Sequence, residues 1–356
     1  MAPAQPPIPQ DWCERLRGAA AARSPLRLVG AGTKDFYGEA LAGTILQLGG
    51  WQGIVDYEPS ELVVTARCGT PLSQLEATLA ARGQFLAFEP PAFGGDPSVG
   101  GVIAAGLSGP RRPYAGAARD FVLGAHLLGA DGQLLRFGGQ VMKNVAGFDV
   151  ARLLCGSLGT LGIITQVSLK VLPQPRLEHT LRLQLPVGEA VAAFNRWAGA
   201  PLPLSGAAWW QGCAFVRLSG AAPAVRAARE QIGGELLAEG ESADFWDALR
   251  HCRLPPFAAA VLWRVSLPAA TPPLPVSCEP LIDWGGALRW YADPPGAVDL
   301  RALAQSAGGS AQCWRGAAPG ARFHPLTAAV AQLHRRLKER FDPHGIFNPG
   351  RLLAGM

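Results

Sequence analysis

No run of about 18 apolar residues occurs, so the chain has nothing that would span a bilayer as a helix. The start, MAPAQPPIPQDW, has neither a basic segment nor an apolar core, so no secretory signal is expected there. Charge is scarce at 17% of residues. The net +5 comes from arginines scattered without a basic run or a basic-aromatic stripe, which argues against nucleic acid. Cysteines at 13, 68, 155, 213, 252, 278 and 313 form no C-x-x-C. Zinc and iron–sulfur ligation therefore lack their usual spacing, and reduced, mostly buried thiols in a reducing cytoplasm are expected. Two familiar nucleotide signatures are missing as well. After Gly30-Ala31-Gly32-Thr33-Lys34 the third glycine of the dinucleotide fingerprint is Asp35, and the stretch to Ala42 reads as loop; the P-loop spacing is not met either.

What the chain does have, over 356 residues that suffice for two domains, is glycine in two loops. The first, LRLVGAGTKD at Leu26–Asp35, closes a short apolar strand. The second runs from Phe93 to Thr165 and carries glycine pairs, a Gly109-Pro110-Arg111-Arg112 corner and an Arg119-Asp120 dipeptide. Backbone amides at such turns can approach a bulky anion with no Cβ in the way. Two loops flanking a βα segment suit a ligand with a pyrophosphate between two aromatic ends, as a flavin dinucleotide has.

Pattern predicts a helix over 10–23 and strands over 26–29, 44–48, 53–57 and 61–67, then a helix over 71–82 opened by Pro71 and a strand over 84–88. A single sheet is expected for this β-β-β-α-β stretch. Ser98 should cap a helix to 107, and Asp131-Gly132 should turn a hairpin between 121–128 and 133–137. A short helix at 149–155 and a strand at 163–172 lead to Pro173-Gln174-Pro175, read as a domain boundary. Beyond it, a strand at 180–185, a helix at 188–197, a hairpin at 207–218 and a helix at 222–232 follow the ferredoxin-like order. A looser second round runs to about 315, and a helix over 325–341 leads into FDPHGIFNPGR. The expected fold class is α+β. Residues 1–175 form one domain, 176–324 an α+β cap, and 325–356 return to the first.

Several features admit two readings. Lys34 could add charge at a phosphate or be a solvated loop lysine. Ser98-Val99-Gly100-Gly101 could offer free N–H donors or close helix–sheet packing. Arg111 and Arg112 could meet an anionic ligand or partner, or decorate a surface turn.

Taken together, LVGAGTKDFYG, VGGVIAAGLSGPRRP, GAARDFVLGAHLLGADG, VMKNVAGFDVARL, GSLGTLGIITQVSLKVLP and FDPHGIFNPGR resemble the vanillyl-alcohol-oxidase/PCMH-type flavoprotein superfamily. Within it they are similar to the FAD-binding E subunits of bacterial glycolate oxidase. The resemblance is dense over about residues 26–175, returns in the last ten, and is weak between. It implies a PCMH-type FAD-binding domain of two subdomains and a ferredoxin-like cap. It assigns Gly30, Ala31, Gly32, Thr33 and Lys34 to the flavin pyrophosphate. Pro90 and Gly94 would lie near the dinucleotide. Gly100, Gly101 and Ala104 would line its pyrophosphate and ring edge, with Asp120 supporting the loop beside it. Gly159, Thr160, Gly162 and Ile164 would follow the ribose and adenine, and Asn348 the isoalloxazine.

The resemblance further implies glycolate dehydrogenase activity, glycolate to glyoxylate, in a complex with a catalytic FAD subunit and an iron–sulfur subunit. Electrons would pass to membrane quinone, and the chain would be cytoplasmic or peripheral on the inner membrane face. FAD is expected to be non-covalent, because relatives with a covalent flavin place a His or Cys where GAGTKD and FGGDPSVGG stand here. Catalytic relatives carry a His-x6-His pair and a Glu-His in the second domain. Here no two histidines are so spaced, and the Glu-His, Glu178-His179, falls at that domain's start. The catalytic D subunit also reads Gly-Ser-Glu-Gly where this chain has Gly156-Ser157-Leu158-Gly159. His251, His324 and His344 lack matching partners, so no catalytic base or metal is assigned, and oxidation by the chain alone is not expected. A stand-alone D-lactate-type dehydrogenase and a scaffold with optional flavin are the alternatives.

Overall fold

The computed structural model describes residues 7–139, 149–296, 298–317 and 320–356. The VMKNVAGFDV motif lies outside the described residues up to Phe148.

The chain opens with helix α1 (Gln10–Ala22), which buries Trp12, Leu16, Ala19 and Ala20 on one face. Strands β1 (Leu26–Val29) and β2 (Thr44–Gln47) pair in parallel as a separate two-stranded sheet. Next come β3 (Ile54–Glu58), β4 (Val63–Arg67), α2 (Leu72–Ala80) and the two-residue β5 (Gln84–Phe85). After them lie α3 (Val99–Ala105), α4 (Arg112–Ala115), α5 (Ala118–Phe121), β6 (Val122–Leu128), β7 (Leu134–Gly138), α6 (Val150–Leu154), β8 (Ile163–Lys170) and β9 (Leu172–Pro173). The expected single sheet is thus three. The main one has five strands in the order β3-β4-β8-β6-β7. The strand predicted over 84–88 stops at Phe85 and pairs with β9 instead. The helices α2, α3 and α6 press Leu72, Leu75, Leu79, Val102, Ile103 and Leu154 onto Val64, Val167 and Leu169 of the main sheet.

The second half contains β10 (Leu177–Gln184), α7 (Val187–Ala198), β11 (Leu204–Trp210), β12 (Cys213–Gly220), α8 (Ala222–Ile232), β13 (Glu235–Leu236) and α9 (Glu239–Arg250). It continues with β14 (Leu262–Ser266), β15 (Leu281–Asp283), β16 (Leu288–Ala292), α10 (Leu300–Ser306) and β17 (Ser310–Arg315). All eight strands make one sheet in the order β13-β10-β12-β11-β15-β16-β14-β17. Each half of that order is ferredoxin-like, and the two halves meet where Trp209 pairs with Ile282. The loose second round is therefore a true structural echo of the first. In it, the stretch from Leu267 to Pro280 replaces the helix that α7 supplies in the first.

The last helix, α11 (Ala328–Phe341), returns to the first half. Lys338 on it is buried, and its ammonium donates to Asp342 Oδ2 (2.7 Å), Phe347 O (2.6 Å) and Thr160 O (2.8 Å). The tail beyond it runs beside β1, with Leu26 N–H donating to Ile346 O and Asn348 N–H to Leu26 O.

Between the halves lies a polar cluster. Arg111 reaches Glu89 at 3.2 Å and Glu178 at 2.7 Å, while Arg217 reaches Glu89 at 2.8 Å. This settles one of the open readings: Arg111 is an interdomain clamp rather than a free anion receptor. Burial pushes the Glu178 carboxyl up, but Arg217 and Arg111 outweigh it and hold the group below its ordinary range. Among the described residues no helix is long and apolar enough to cross a membrane.

Candidate cofactor site

The turn after β1 carries the chemistry. The N–H groups of Gly30, Ala31, Gly32, Thr33 and Lys34 find no acceptor among the described residues. Consecutive unpaired amides of this kind form a concave anion receptor. The turn is braced from outside: Arg27 pairs with Asp35 at 2.5 Å, and Arg351 of the tail donates to the carbonyls of Lys34 (3.2 Å), Asp35 (2.7 Å) and Glu39. Lys34 forms no ion pair among the described residues; its ammonium sits 3.4 Å from Thr33 Oγ1 and 5.7 Å from the Phe93 ring centre. Burial lowers its pKa to about 8, as expected for a cation that still awaits a counter-charge.

The turn opens into two adjoining clefts of about 440 and 540 Å³. Gly30, Ser98, Gly101, Ala104, Leu158 and Asn348 line both. Ala31, Gly32, Thr33 and Lys34 wall one cleft, while Gly100, Gly159, Gly162 and Ile164 wall the other. Twelve of the sixteen expected residues thus surround one contiguous space (five of the turn, three of α3, three of the 159–164 stretch, and Asn348).

Four do not line it. The Pro90 carbonyl accepts from Arg250 across the interface at 3.1 Å. Gly94 lies in a turn whose next residue, Gly95, abuts the Thr33 methyl. Thr160 is buried beneath the site, with its hydroxyl on Ser157 O and its carbonyl on Lys338. Asp120 is exposed and accepts from Ala117 N–H, closing its own turn.

Two further stretches bear on the earlier readings, and at α3 the structure favours close packing. The start of α3 does not offer a row of free donors: Val99 N–H goes to Thr70 O and Gly100 N–H to Cys68 O, while Gly101 N–H reaches Ser98 Oγ. Gly100 is there for packing, since a Cβ on it would lie 2.6 Å from Cys68 Cβ. Gly159 and Asn348, expected along the ribose and adenine and at the ring, are neighbours. A Cβ on Gly159 would lie 2.8 Å from Asn348 Nδ2. Asn348 joins β1 to the glycine turn, accepting from Leu28 N–H (2.8 Å) and donating to Leu158 O (2.7 Å).

The sequence pattern did not single out Leu28, Leu48, Cys68, Leu158 or Arg351 as cleft residues. Cys68, expected in the core, is indeed buried in it and lines the cleft too; burial pushes its thiol up to about 12. Leu158 has φ 51, a left-handed backbone unusual for leucine. Its place in GSLG was the available signal. His251 and His324 accept from the N–H groups of Ala92 (3.0 Å) and Ala311 (3.3 Å), which occupies one ring nitrogen of each with backbone.

Comparison with known proteins bears on the same residues. A family model described as FAD binding domain matches residues 4–138. Glycolate oxidase subunit GlcE of Escherichia coli (strain K12) is 44% identical over 346 residues, 97% of this chain and 97% of that protein. Glycolate oxidase subunit GlcD of Bacillus subtilis (strain 168) is 33% identical over 145 residues, 39% of this chain but 29% of that protein. A D-lactate dehydrogenase of Archaeoglobus fulgidus is 32% identical over 135 residues, 38% of this chain and 30% of the relative. Among solved structures, an alkyldihydroxyacetonephosphate synthase superposes with a TM-score of 0.66 at 15% identity, covering 96% of this chain and 75% of the other. At that identity the likeness concerns the fold alone.

Proposed function

The chain belongs to the GlcE family of glycolate oxidase subunits, and from that premise we propose that its two adjoining clefts hold FAD without a covalent bond. As an FAD-linked oxidoreductase subunit it contributes to the oxidation of glycolate. The observation that carries the binding mode is the run of five unpaired amides at Gly30–Lys34 beside an uncompensated lysine. Amides presented in this way toward a cleft suit a diphosphate.

Gly101, Ala104 and Gly162 present little side chain to the remaining space, and Ile164 adds an apolar wall, which suits a flat ring system. Bound FAD supplies the acceptor for two electrons. The chain's residues hold and orient it: Arg351 and Asn348 fix the turn and the strand end, and Lys338 fixes the loop behind. The one thiol in the cleft wall, Cys68, is kept protonated by burial, which supports the non-covalent reading.

Residues 1–175 would form the FAD domain, 176–324 the cap, and 325–356 the return. Partners would be a catalytic flavoprotein subunit and an iron–sulfur subunit, with the complex peripheral on the inner membrane face. Val330 and Leu333, exposed at 41% and 57% one turn apart on α11, with Leu326 just before the helix, support an interaction surface there. The test is to purify the chain and record its visible absorption after adding FAD. A yellow protein that releases its flavin on acid precipitation is expected. A protein that stays colourless overturns the assignment, and flavin that remains with the precipitate overturns the non-covalent part.

A further inference from the structure

The cofactor clefts leave the hydroxy acid itself without a place to bind. Helix α3 leads to one. Its last residue, Ala105, lines the cleft beside the Gly30–Lys34 turn, while Leu107 lines a separate small cavity between the two halves. The opposite wall is the face of the eight-stranded sheet, with Arg264 on β14, Asp283 ending β15, Trp290 on β16 and Trp314 on β17.

Two of these residues carry opposite charge and are not paired with each other. The Arg264 guanidinium lies against the Trp284 and Trp290 rings (5.0 and 5.9 Å to their centres) and makes one long contact, 3.5 Å to Ser266 Oγ. It forms no ion pair among the described residues, and burial lowers its pKa. Asp283 is 4% exposed; Oδ1 accepts from Trp284 N–H at 2.7 Å, and no hydrogen bond to Oδ2 is found among the described residues. Burial pushes this carboxyl up to about 7. The Trp284 N–H opposes the shift, Glu89 adds to it, and Arg217 and Arg264 oppose it.

Separated buried charges destabilise a fold unless a ligand completes both. A short acid with a hydroxyl beside its carboxylate does so: the planar fork of an arginine suits a carboxylate, and an ionised carboxylate accepts from a hydroxyl. We propose that this interdomain cavity binds a small 2-hydroxy carboxylate, with Arg264 taking the carboxylate and Asp283 accepting a hydrogen bond from the hydroxyl. The inference rests on the reading of the chain as a glycolate oxidase subunit and names the place where its substrate class sits.

The other charged or titratable groups facing the pair are Tyr37, whose phenol burial pushes up, and Glu89, Arg217, Tyr114, Cys252 and Arg112. Burial pushes the Tyr114 phenol up and the Cys252 thiol up to about 12, so neither ionises near neutrality. Asp283 is then the group in the cavity expected to change charge around pH 7.

The tryptophans around the cavity provide the readout. The full chain is titrated with glycolate, and with acetate as the acid lacking the hydroxyl, while tryptophan emission is followed from about pH 6 to about pH 8.5. Saturable quenching by glycolate is expected, with its advantage over acetate growing as pH rises through about 7. Arg264→Met should weaken glycolate binding about tenfold or more, Arg264→Lys should restore part of it, and Asp283→Asn should flatten the pH dependence of the glycolate–acetate ratio. No saturable response in the wild type, unchanged affinity in both Arg264 variants, or a wild-type ratio independent of pH overturns the proposal. FAD content is read on the same samples. A yellow protein indifferent to glycolate removes this cavity and leaves the FAD assignment standing, whereas a colourless protein that binds glycolate does the reverse.

Discussion

The Lys338 ammonium donates to the Thr160 carbonyl at 2.8 Å, tying the C-terminal helix to the glycine turn behind the cofactor clefts. The same ammonium serves Asp342, which is 2% exposed and otherwise accepts from the Ile346 and Phe347 N–H groups.

Removing that cation strands a buried carboxylate. Lys338→Met should therefore lower unfolding free energy by about 3–5 kcal/mol, measured by urea denaturation. Adding Asp342→Asn should recover part of the loss, because the stranded group is then neutral. A single variant as stable as the wild type would show that the tie is dispensable.

Lys34 predicts a pH dependence of cofactor affinity. Burial sets its pKa near about 8 in the empty cradle. A neighbouring diphosphate favours the ammonium and raises that value, so binding above about pH 8 must take up a proton. FAD affinity is expected to hold below that pH and to fall above it, by up to about tenfold per pH unit. In Lys34→Met the affinity should be weaker and this step absent. Titrating flavin-free protein with FAD at several pH values decides it; a wild-type curve that stays flat contradicts the role.

Gly30 faces Ser98 so closely that a Cβ would run into the serine hydroxyl. Gly30→Ala should cost about 1–3 kcal/mol through overpacking and should lower FAD retention on gel filtration. Ser98→Gly in the same chain should relieve the clash, although losing the α3 cap costs about 1 kcal/mol of its own. If the double variant retains no more flavin than Gly30→Ala, steric crowding is not the reason for glycine.

Much of this was legible in the chain. Leu72, Leu75 and Leu79 marked α2 by their spacing, Asp131-Gly132 marked the hairpin, and the ferredoxin order emerged from short periodic segments. The run Gly30–Lys34 was readable as a receptor because glycine-rich turns leave amides unpaired. Other features were not readable, for reasons of distance. Glu89 and Glu178 lie 22 and 67 residues from Arg111, so no local pattern reveals that they consume its charge. The joining of two ferredoxin-like halves rests on one pairing, Trp209 with Ile282, that spacing does not encode. The α3 donors looked free because the carbonyls that take them, from Cys68 and Thr70, come from the turn that follows β4.

Asp283 predicts the reverse of the usual acid loss. Its folded pKa of about 7 lies above the ordinary 3.8, so the folded chain binds that proton more tightly than the unfolded one. The associated stability is present below the ordinary value and is lost as pH rises toward about 7. Asp283→Asn keeps an acceptor for Trp284 N–H and removes the charge. It should be more stable than the wild type at about pH 8, by a few kcal/mol at most, with the difference vanishing in acid. Thermal melts across pH check this; a variant less stable at every pH would assign Asp283 a purely structural part.

The bond from Leu28 N–H to Asn348 Oδ1 spans 320 positions of chain. A ribosome therefore delivers the amide turn, the hairpin and both ferredoxin echoes long before it delivers the residue that pins the first strand to Leu158. Until then the diphosphate receptor has no fixed rim. If the clefts hold FAD as proposed, uptake would wait for the last residues of the chain, and a polypeptide shortened before Asn348 should collapse without keeping its flavin.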